Sequence, residues 1–541
     1  MNLAKILEEK KIPEIFQPRF RRPGQRFLLI NFFLILLILL TSWDHLSAGQ
    51  KVQGESKKQS LNISREKKYV LEWLSQPEQI EYFGKISDRI WSFAELGFQE
   101  YKSSALLAET LEKEGFRVER GLAGLPTCFV ATYGEGRPVI GFLGEFDALP
   151  GLSQKGRIPK KDPLIEGAPG HGCGHNTMGT AAVAAAIATK KAMERFGIKG
   201  TIKVFGSPAE EILASRPYMV RAGLFKDVEA VLDNHSSSDF GTSYGVSGNA
   251  VISVLFTFKG KTAHSAGAPW AGRSALDAVE LMNVATNYLR EHLNPAHRLH
   301  YIIMEGGEAP NVVPDRASVW YYIRNTDEHL EQMFERVVNC AKAAALATGT
   351  ELSEVKVLSA THQFHGNRAL AELLQKNIEL TGMPLWDKEE EEFARALQKE
   401  LQAREEGLKK EVSKLREPRE AFIGGGSTDV GEVTLVAPTA TVRFPSNVPG
   451  AVGHHWSTVA SVYGSIAWKG LNAGAKAMAL TAIDLLTRPE ELKKIRAEFE
   501  EYIKTHPYKS FLPEEAKPPL DLNRALMDKW RKLLEDKEIK N

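Results

Sequence analysis

Hydrophobic and polar positions along the chain follow two rhythms. Up to about residue 246, short apolar runs at 138–143 (PVIGFL), 201–205 and 230–232 are separated by longer helical patterns. Those patterns cover about 65–93, 103–114 ahead of Gly115, and the alanine-rich 180–193. A short apolar run bounded by turn residues predicts a strand buried on both faces. Its alternation with helices predicts an α/β domain with a mostly parallel core sheet.

Near Val246 the rhythm changes. Residues 251–258 alternate like a half-buried strand, and 274–292 read as a helix capped by Ser274. Strands are predicted at 299–304 and 317–323, a helix at 330–347 stopped by Gly349, and a strand at 351–358. The order β-α-β-β-α-β is that of a ferredoxin-like unit. The α/β pattern resumes near Ala369, so this α+β unit reads as an insertion. The predicted parts are a main domain in two pieces (64–246 and 366–490), an inserted domain (247–365) and a C-terminal helical extension (491–541). The strongly charged stretch 387–420 reads as a solvated helical excursion.

The first 49 residues differ from all of this. Residues 27–40 read FLLINFFLILLILL, preceded by Arg19, Arg21, Arg22 and Arg26 and followed by the small residues Ser47, Ala48 and Gly49. A basic segment, an apolar segment and a small-residue exit predict a signal peptide or an N-terminal membrane anchor, with the rest of the chain exported and the N-terminus entering the membrane. Residues 50–63 read as a polar linker.

Composition narrows the function. The chain has 541 residues, 43% of them hydrophobic, enough for more than one core. A net charge of +1 gives no concentrated basic face, so no nucleic-acid partner is expected. Three widely spaced cysteines, Cys128, Cys173 and Cys340, do not make a disulfide framework.

Candidate chemistry sits in four polar clusters. His171-Gly172-Cys173-Gly174-His175-Asn176 lies between a Gly/Pro-rich loop and a helix start. A Cys-x-His spacing lets one loop offer two ligands to a zinc-like ion, while a buried cysteine also reads as a small hydrophobe. Ser207-Pro208-Ala209-Glu210-Glu211 follows an apolar strand. Adjacent carboxylates repel, which makes sense if one binds a metal and the other handles a proton; a solvated loop pair is the plain alternative. Asp233-Asn234-His235 comes just past the third apolar run, and His454-His455-Trp456 lies near the C-terminus. Active sites of α/β sheets gather at such strand ends.

Longer stretches carry a family resemblance. They are GFLGEFDALPGLSQ (141–154), GAPGHGCGHNTMGTAA (167–182), SPAEE (207–211), FKGKTAHSAGAPWAGRSALDAV (258–279), GGEAPNVVP (306–314), STDVGEV (427–433) and HHWSTVASVYGSIAWKG (454–470). In these the chain resembles the M20 metallopeptidase and amidohydrolase family and, within it, the p-aminobenzoyl-glutamate hydrolase subgroup, from about residue 64 to 490. The resemblance implies a mixed-sheet di-metal hydrolase with an inserted dimerisation and lid domain. It implies two divalent ions, manganese or zinc, held by Cys173, His175, Glu211, His235 and His454. Trp456 sets the register that favours His454 over His455. Glu210 matches the general base, and His264 a histidine that reaches a neighbouring subunit's active site to stabilise the oxyanion. Asn311 and Arg324 match positions that hold the substrate. The implied substrate is an N-acyl amino acid such as p-aminobenzoyl-glutamate, or a dipeptide. The implied assembly is a homodimer or a heterodimer with a related subunit.

Two departures stand out. The subgroup continues its Glu-Glu motif with glycine and lysine, where this chain has Ile212-Leu213-Ala214-Ser215-Arg216-Pro217, and Ser236 replaces a frequent proline after His235. These put the substrate in question more than the reaction. An exported dipeptidase or aminoacylase is the rival enzyme, and a non-catalytic partner subunit the rival of another kind. The complete set of Glu210 and ligands favours catalysis.

Overall fold

The structure, a computed structural model, describes residues 63–419 and 424–539. The expected signal or anchor at 1–49 and nearly all of the linker at 50–63 lie outside the described residues. Among the described residues no helix is long and apolar enough to cross a membrane.

Twelve strands are found among the described residues. In the main domain they are β1 (Arg117–Arg120), β2 (Phe129–Glu135), β3 (Val139–Glu145), β4 (Gly200–Ser207) and β5 (Ala230–Ser237). Then come β6 (Gly245–Ser247), β7 (Ala250–Lys259), β8 (Arg298–Glu305), β9 (Arg316–Asn325), β10 (Glu351–Thr361), β11 (Phe364–Gly366) and β12 (Thr439–Pro445).

The main sheet has the order β1-β2-β4-β3-β5-β12. Strands β4, β3, β5 and β12 are parallel, and β2 and β1 extend one edge antiparallel. On β3, Ile140 and Phe142 pack into the core beneath the long helices His175–Phe196 and Ser465–Thr487. Val139 and Leu143 face the other side, with Tyr218, Met219 and Phe225. Both faces are covered, which is why 138–143 is a continuous apolar run rather than an alternating one. Each such buried Phe, Ile or Leu is worth about 1.5–3 kcal/mol of burial. Because the four parallel strands point the same way, their C-terminal ends share one edge of the domain.

The inserted domain is a four-stranded antiparallel sheet, β10-β7-β9-β8. Helices Ala275–Leu289 and Asp327–Thr348 cover one face. On β9, Ala317, Val319, Tyr321 and Ile323 point into that core. The two-residue side-chain period therefore puts Trp320, Tyr322 and Arg324 together on the opposite face. Strands β6 and β11 pair antiparallel where the chain enters and leaves the insertion.

Three local expectations need correction. The pattern at 65–93 is two helices, Arg65–Leu74 and Pro77–Phe93, because Pro77 has no N–H to continue the first helix and sits at the start of the second. The charged stretch 387–420 is helical only at Lys388–Glu400. That helix is amphipathic, burying Phe393, Ala394 and Leu397 against Val448, Ala460 and Ile466. Finally, His235 does not follow a strand but lies within β5, which runs on to Ser237 beside β12.

Candidate metal centre

The site is built at the C-terminal edge of the parallel strands. Gly174 begins the helix His175–Phe196 with φ +89°, and a Cβ there would meet Ser236 Oγ at 2.6 Å. Only glycine fits this turn, which sets Cys173 and His175 on either side of it. Gly179 lets the helix lie against the end of β3, since a Cβ would meet the Glu145 carbonyl at 2.6 Å. This close approach brings His175 beside Glu145 and Asp147.

Glu210 and Glu211 occupy a single helical turn, Glu210–Ile212, just past β4. Ala209 and Leu213, which flank it, have φ of 55° and 57°. Left-handed backbone at two non-glycine residues costs about 1–3 kcal/mol each and tends to persist where a site requires it. His454 is a third such residue, with φ 56°. Its backbone N–H donates to the Gly172 carbonyl (2.9 Å), tying the C-terminal loop to the Cys173 loop.

The structure places four of the five sequence-predicted ligands in two neighbouring groups, with His235 in neither. In one, donor atoms of Cys173, Glu211 and His454 lie within 4.8 Å of one another; in the other, those of Glu145, His175 and Glu210 do. His175 Nε2 is 3.8 Å from both Glu210 Oε2 and Glu211 Oε1, and His454 Nε2 is 3.3 Å from Glu211 Oε2. Cys173 Sγ is 3.6 Å from His235 Nε2. His455 turns to the helix Trp456–Ser461, where its Nδ1 accepts the Ser457 N–H as an N-cap.

Neighbouring hydrogen bonds orient the imidazoles. His175 Nδ1–H donates to Asp147 Oδ1 (2.8 Å), which turns Nε2 toward the facing acids. The other oxygen of Asp147 accepts the Glu211 backbone N–H (2.9 Å). His235 Nδ1–H donates to the Ser236 carbonyl (2.7 Å), which leaves Nε2 as the lone-pair nitrogen facing Cys173.

The electrostatics call for added positive charge. Burial, helped by the facing acids, pushes Glu210 far above the usual carboxylate range and Glu211 to about 8. Burial would lower His175, but Glu211 and Asp147 outweigh it and hold the imidazole well above its ordinary value. Burial drives His235 down to about 3 and the Cys173 thiol up to about 12. His175 Nε2 and Glu211 Oε1 are buried without a hydrogen-bond partner. A thiol, three imidazoles and carboxylates converging on orphaned donor atoms fit divalent cations: the acids would gain counter-charge and the orphaned atoms would gain bonds.

Sequence reasoning assigned no role to Glu145, Asp147, Arg216 or Asp429. Arg216 is fully buried; its Nη2 lies 2.8 Å from Glu145 Oε1, and its Nη1 donates to Asp429. Asp429 also accepts the backbone N–H groups of Ser215 and Arg216, 3.0 Å each. Of the unusual residues after Glu211, Ser215 and Arg216 thus turn inward to a buried charge network. Two acids directly after the apolar run 138–143 were the available signal for Glu145 and Asp147.

The remaining predicted residues lie on the inserted domain. Arg324 shares the inner sheet face with Tyr322; its Nη1 donates to Ser427 Oγ (3.1 Å) and its buried Nε has no partner. His264 and Asn311 are exposed on adjoining loops, where the Ser265 N–H donates to the Asn311 carbonyl. Their hydrogen bonds are local and reach no group of the metal centre.

Comparison with known proteins agrees with this arrangement. Residues 249–348 match a peptidase dimerisation domain model of the M20 group. The chain is 37% identical over 459 residues to a p-aminobenzoyl-glutamate hydrolase subunit of Escherichia coli (strain K12), spanning 80% of this chain and 95% of the relative. It is 29% identical over 440 residues to the Xaa-Arg dipeptidase of Mus musculus, spanning 78% and 90%. The crystal structure of an aminobenzoyl-glutamate utilization protein from Klebsiella pneumoniae shares the fold, with a TM-score of 0.52 at 17% identity over 77% of this chain and 98% of that one. The chain therefore belongs to the M20 family and is a metal-dependent hydrolase of amide bonds.

Proposed function

We propose that the protein cleaves the amide bond of an N-acyl amino acid whose acyl group is aromatic, with p-aminobenzoyl-glutamate as the model substrate. The observation that carries this reading is the pair of donor groups meeting at His175 and Glu211, directly beside an apolar cavity. Cys173, His175, Glu211, His235 and His454 would hold two divalent ions, zinc or manganese, the cations suited to thiolate, imidazole and carboxylate donors. Bound there, the ions supply Lewis-acid polarisation of the scissile carbonyl and a water of lowered pKa. Glu210, its Oε2 3.8 Å from His175 Nε2, would take the proton from water and return it to the leaving amine.

The inner face of the inserted sheet supports the substrate assignment. Arg324, with an unpartnered Nε, suits the carboxylate of the amino-acid half. Two and four residues earlier on β9, Tyr322 and Trp320 line a cavity of about 300 Å³ that also reaches Glu211. An aromatic acyl group would stack there.

The inserted domain also supports a dimer. Leu281, Val284 and Tyr288 are exposed along one helix, and β8 is an edge strand carrying exposed Ile303 and Met304. His264 Nδ1 accepts the Ala266 and Gly267 N–H groups, so Nε2 carries the proton of the neutral ring. That N–H is free to serve as an oxyanion donor in a neighbouring subunit. The relative's designation as a subunit keeps a heterodimer in view, and sedimentation of the purified chain alone decides whether it self-associates. The basic, apolar and small-residue order of residues 19–49 supports export.

The test is hydrolysis by protein loaded with zinc or manganese, assayed on p-aminobenzoyl-glutamate, N-acetyl-glutamate and a dipeptide panel. Turnover confined to dipeptides would replace this reading with an M20 dipeptidase. No turnover of any amide by fully loaded protein would favour a partner subunit.

A further inference from the structure

The apolar cavity beside Glu211 has one wall from an unexpected source. Leu149 and Pro150 close one side, and Ile302, Trp320 and Tyr322 of the inserted sheet close another. The remaining wall includes Asn523, from the C-terminal segment that follows the main domain.

That segment is held firmly in place. Gln99 Nε2 donates to the Leu520 carbonyl (3.1 Å). Met527 and Leu534 pack on Ala94, Leu96, Ala148 and Ala168, so the last helix backs the same Leu96 and Ala148 that line the cavity. Arg221 donates to the carbonyls of Pro513, Glu514 and Ala516. The Tyr218 hydroxyl lies 2.9 Å from both the Lys517 and Leu358 carbonyls, joining the segment to β10 of the inserted domain.

Asn523 is half-buried, and its Nδ2 donates to the Gly97 carbonyl (3.1 Å). A carbonyl can only accept, so this bond fixes which end of the carboxamide is nitrogen. Asn523 makes no side-chain cap to the helix that follows it, so it brings an uncommitted acceptor to the lining of a cavity that is otherwise mainly apolar. An acceptor at that place favours an acyl ring bearing a hydrogen-bond donor over a bare ring.

We infer that Asn523 is a specificity-determining residue that selects an aromatic acyl group carrying a donor substituent, such as an arylamine, over the unsubstituted ring. The inference rests on the N-acyl amino acid reading above and adds the acyl preference to it. A neutral hydrogen bond of this kind corresponds to a discrimination of about 3- to 10-fold.

The experiment compares kcat/KM for p-aminobenzoyl-glutamate and benzoyl-glutamate in metal-loaded wild type, Asn523→Leu and His300→Leu. His300 lines the same cavity and serves as the control. Calorimetric binding of 4-aminobenzoate and benzoate to the same proteins gives a second readout that needs no turnover. Wild type should prefer the amino-substituted partner in both assays. Asn523→Leu should abolish most of that preference while turnover of benzoyl-glutamate stays within a few fold, and His300→Leu should keep the preference. Equal ratios in wild type and Asn523→Leu, with both substrates turned over, overturn the role of Asn523 and leave the amidohydrolase reading intact. If neither amide is cleaved and neither acid binds, the functional reading fails and this inference fails with it. If Asn523→Leu does not fold, Asn523→Ala decides: it removes the acceptor with a smaller side chain, so the arylamine preference should be lost, and an unchanged preference overturns the role of Asn523.

Discussion

Asp147 and His175, both buried, are joined by a 2.8 Å hydrogen bond, and the second oxygen of Asp147 holds the Glu211 backbone. One carboxylate thus aims two of the proposed ligands, from a helix start and from a loop after β4. Asp147→Asn offers an amide N–H where one of two acceptors is needed. Metal affinity should fall about 10- to 100-fold, the usual cost of losing such a partner. Chelator competition measures it; an unchanged affinity would mean that the surrounding packing alone aims His175.

Glu210 is predicted to act on protons and not to be a primary ligand. Glu210→Gln keeps the shape and removes the base. Turnover should fall by about 10²–10⁴-fold with metal content near normal. Loss of one ion per chain on elemental analysis would instead make Glu210 a ligand, consistent with its grouping beside Glu145 and His175.

His264 separates a shared site from a self-contained one. His264→Ala should lower turnover about 10²–10³-fold by removing an oxyanion donor. Mixing Glu210→Gln with His264→Ala chains should restore part of the activity, because some dimers then hold one intact composite site. Subunit exchange demonstrated by mass labelling without any recovery would confine His264 to its own chain or to a structural role.

Arg216 anchors the turn after Glu211 through buried contacts with Glu145 and Asp429. Arg216→Met leaves two buried carboxylates without their cation. The expected loss is about 3–5 kcal/mol of unfolding free energy. Denaturant titration of the metal-free protein checks this; a loss under about 1 kcal/mol would show that water or protonation replaces the guanidinium.

Asp88 gives the stability a pH signature away from the metal centre. Burial, only partly offset by the nearby Trp468 indole and by the Gly464 N–H donating to Oδ1 (3.2 Å), raises its carboxyl from 3.8 to about 7. A folded value above the unfolded one means the contribution is fully present below about 3.8 and is lost as pH rises through about 7. Asp88→Asn should remove that slope, so the Tm advantage of the variant grows between pH 4 and 7 at constant metal content. A constant Tm difference across that range would rule out the titration.

The sequence by itself determined the class of fold and the order of its parts. Apolar runs buried on both faces and the β-α-β-β-α-β insertion are local patterns, and local patterns survive in one dimension. The polar clusters around Cys173, His175, Glu211, His235 and His454 were also legible, and the family resemblance proposed them as a ligand set. What only the tertiary structure decided depends on contacts between distant segments. Asp147 and Glu145 become part of the site because Gly179 lets a helix approach β3. Arg216 looked like a change facing substrate, yet it is fully buried because Asp429, far along the chain, supplies its counter-charge. His454 differs from His455 through one left-handed residue and an N-cap, a choice the His-His pair cannot reveal without backbone geometry. Asn523 lies in a tail whose sequence carries no motif, and it reaches the cavity only because the folded surfaces around Leu96 and Tyr218 hold that tail in place.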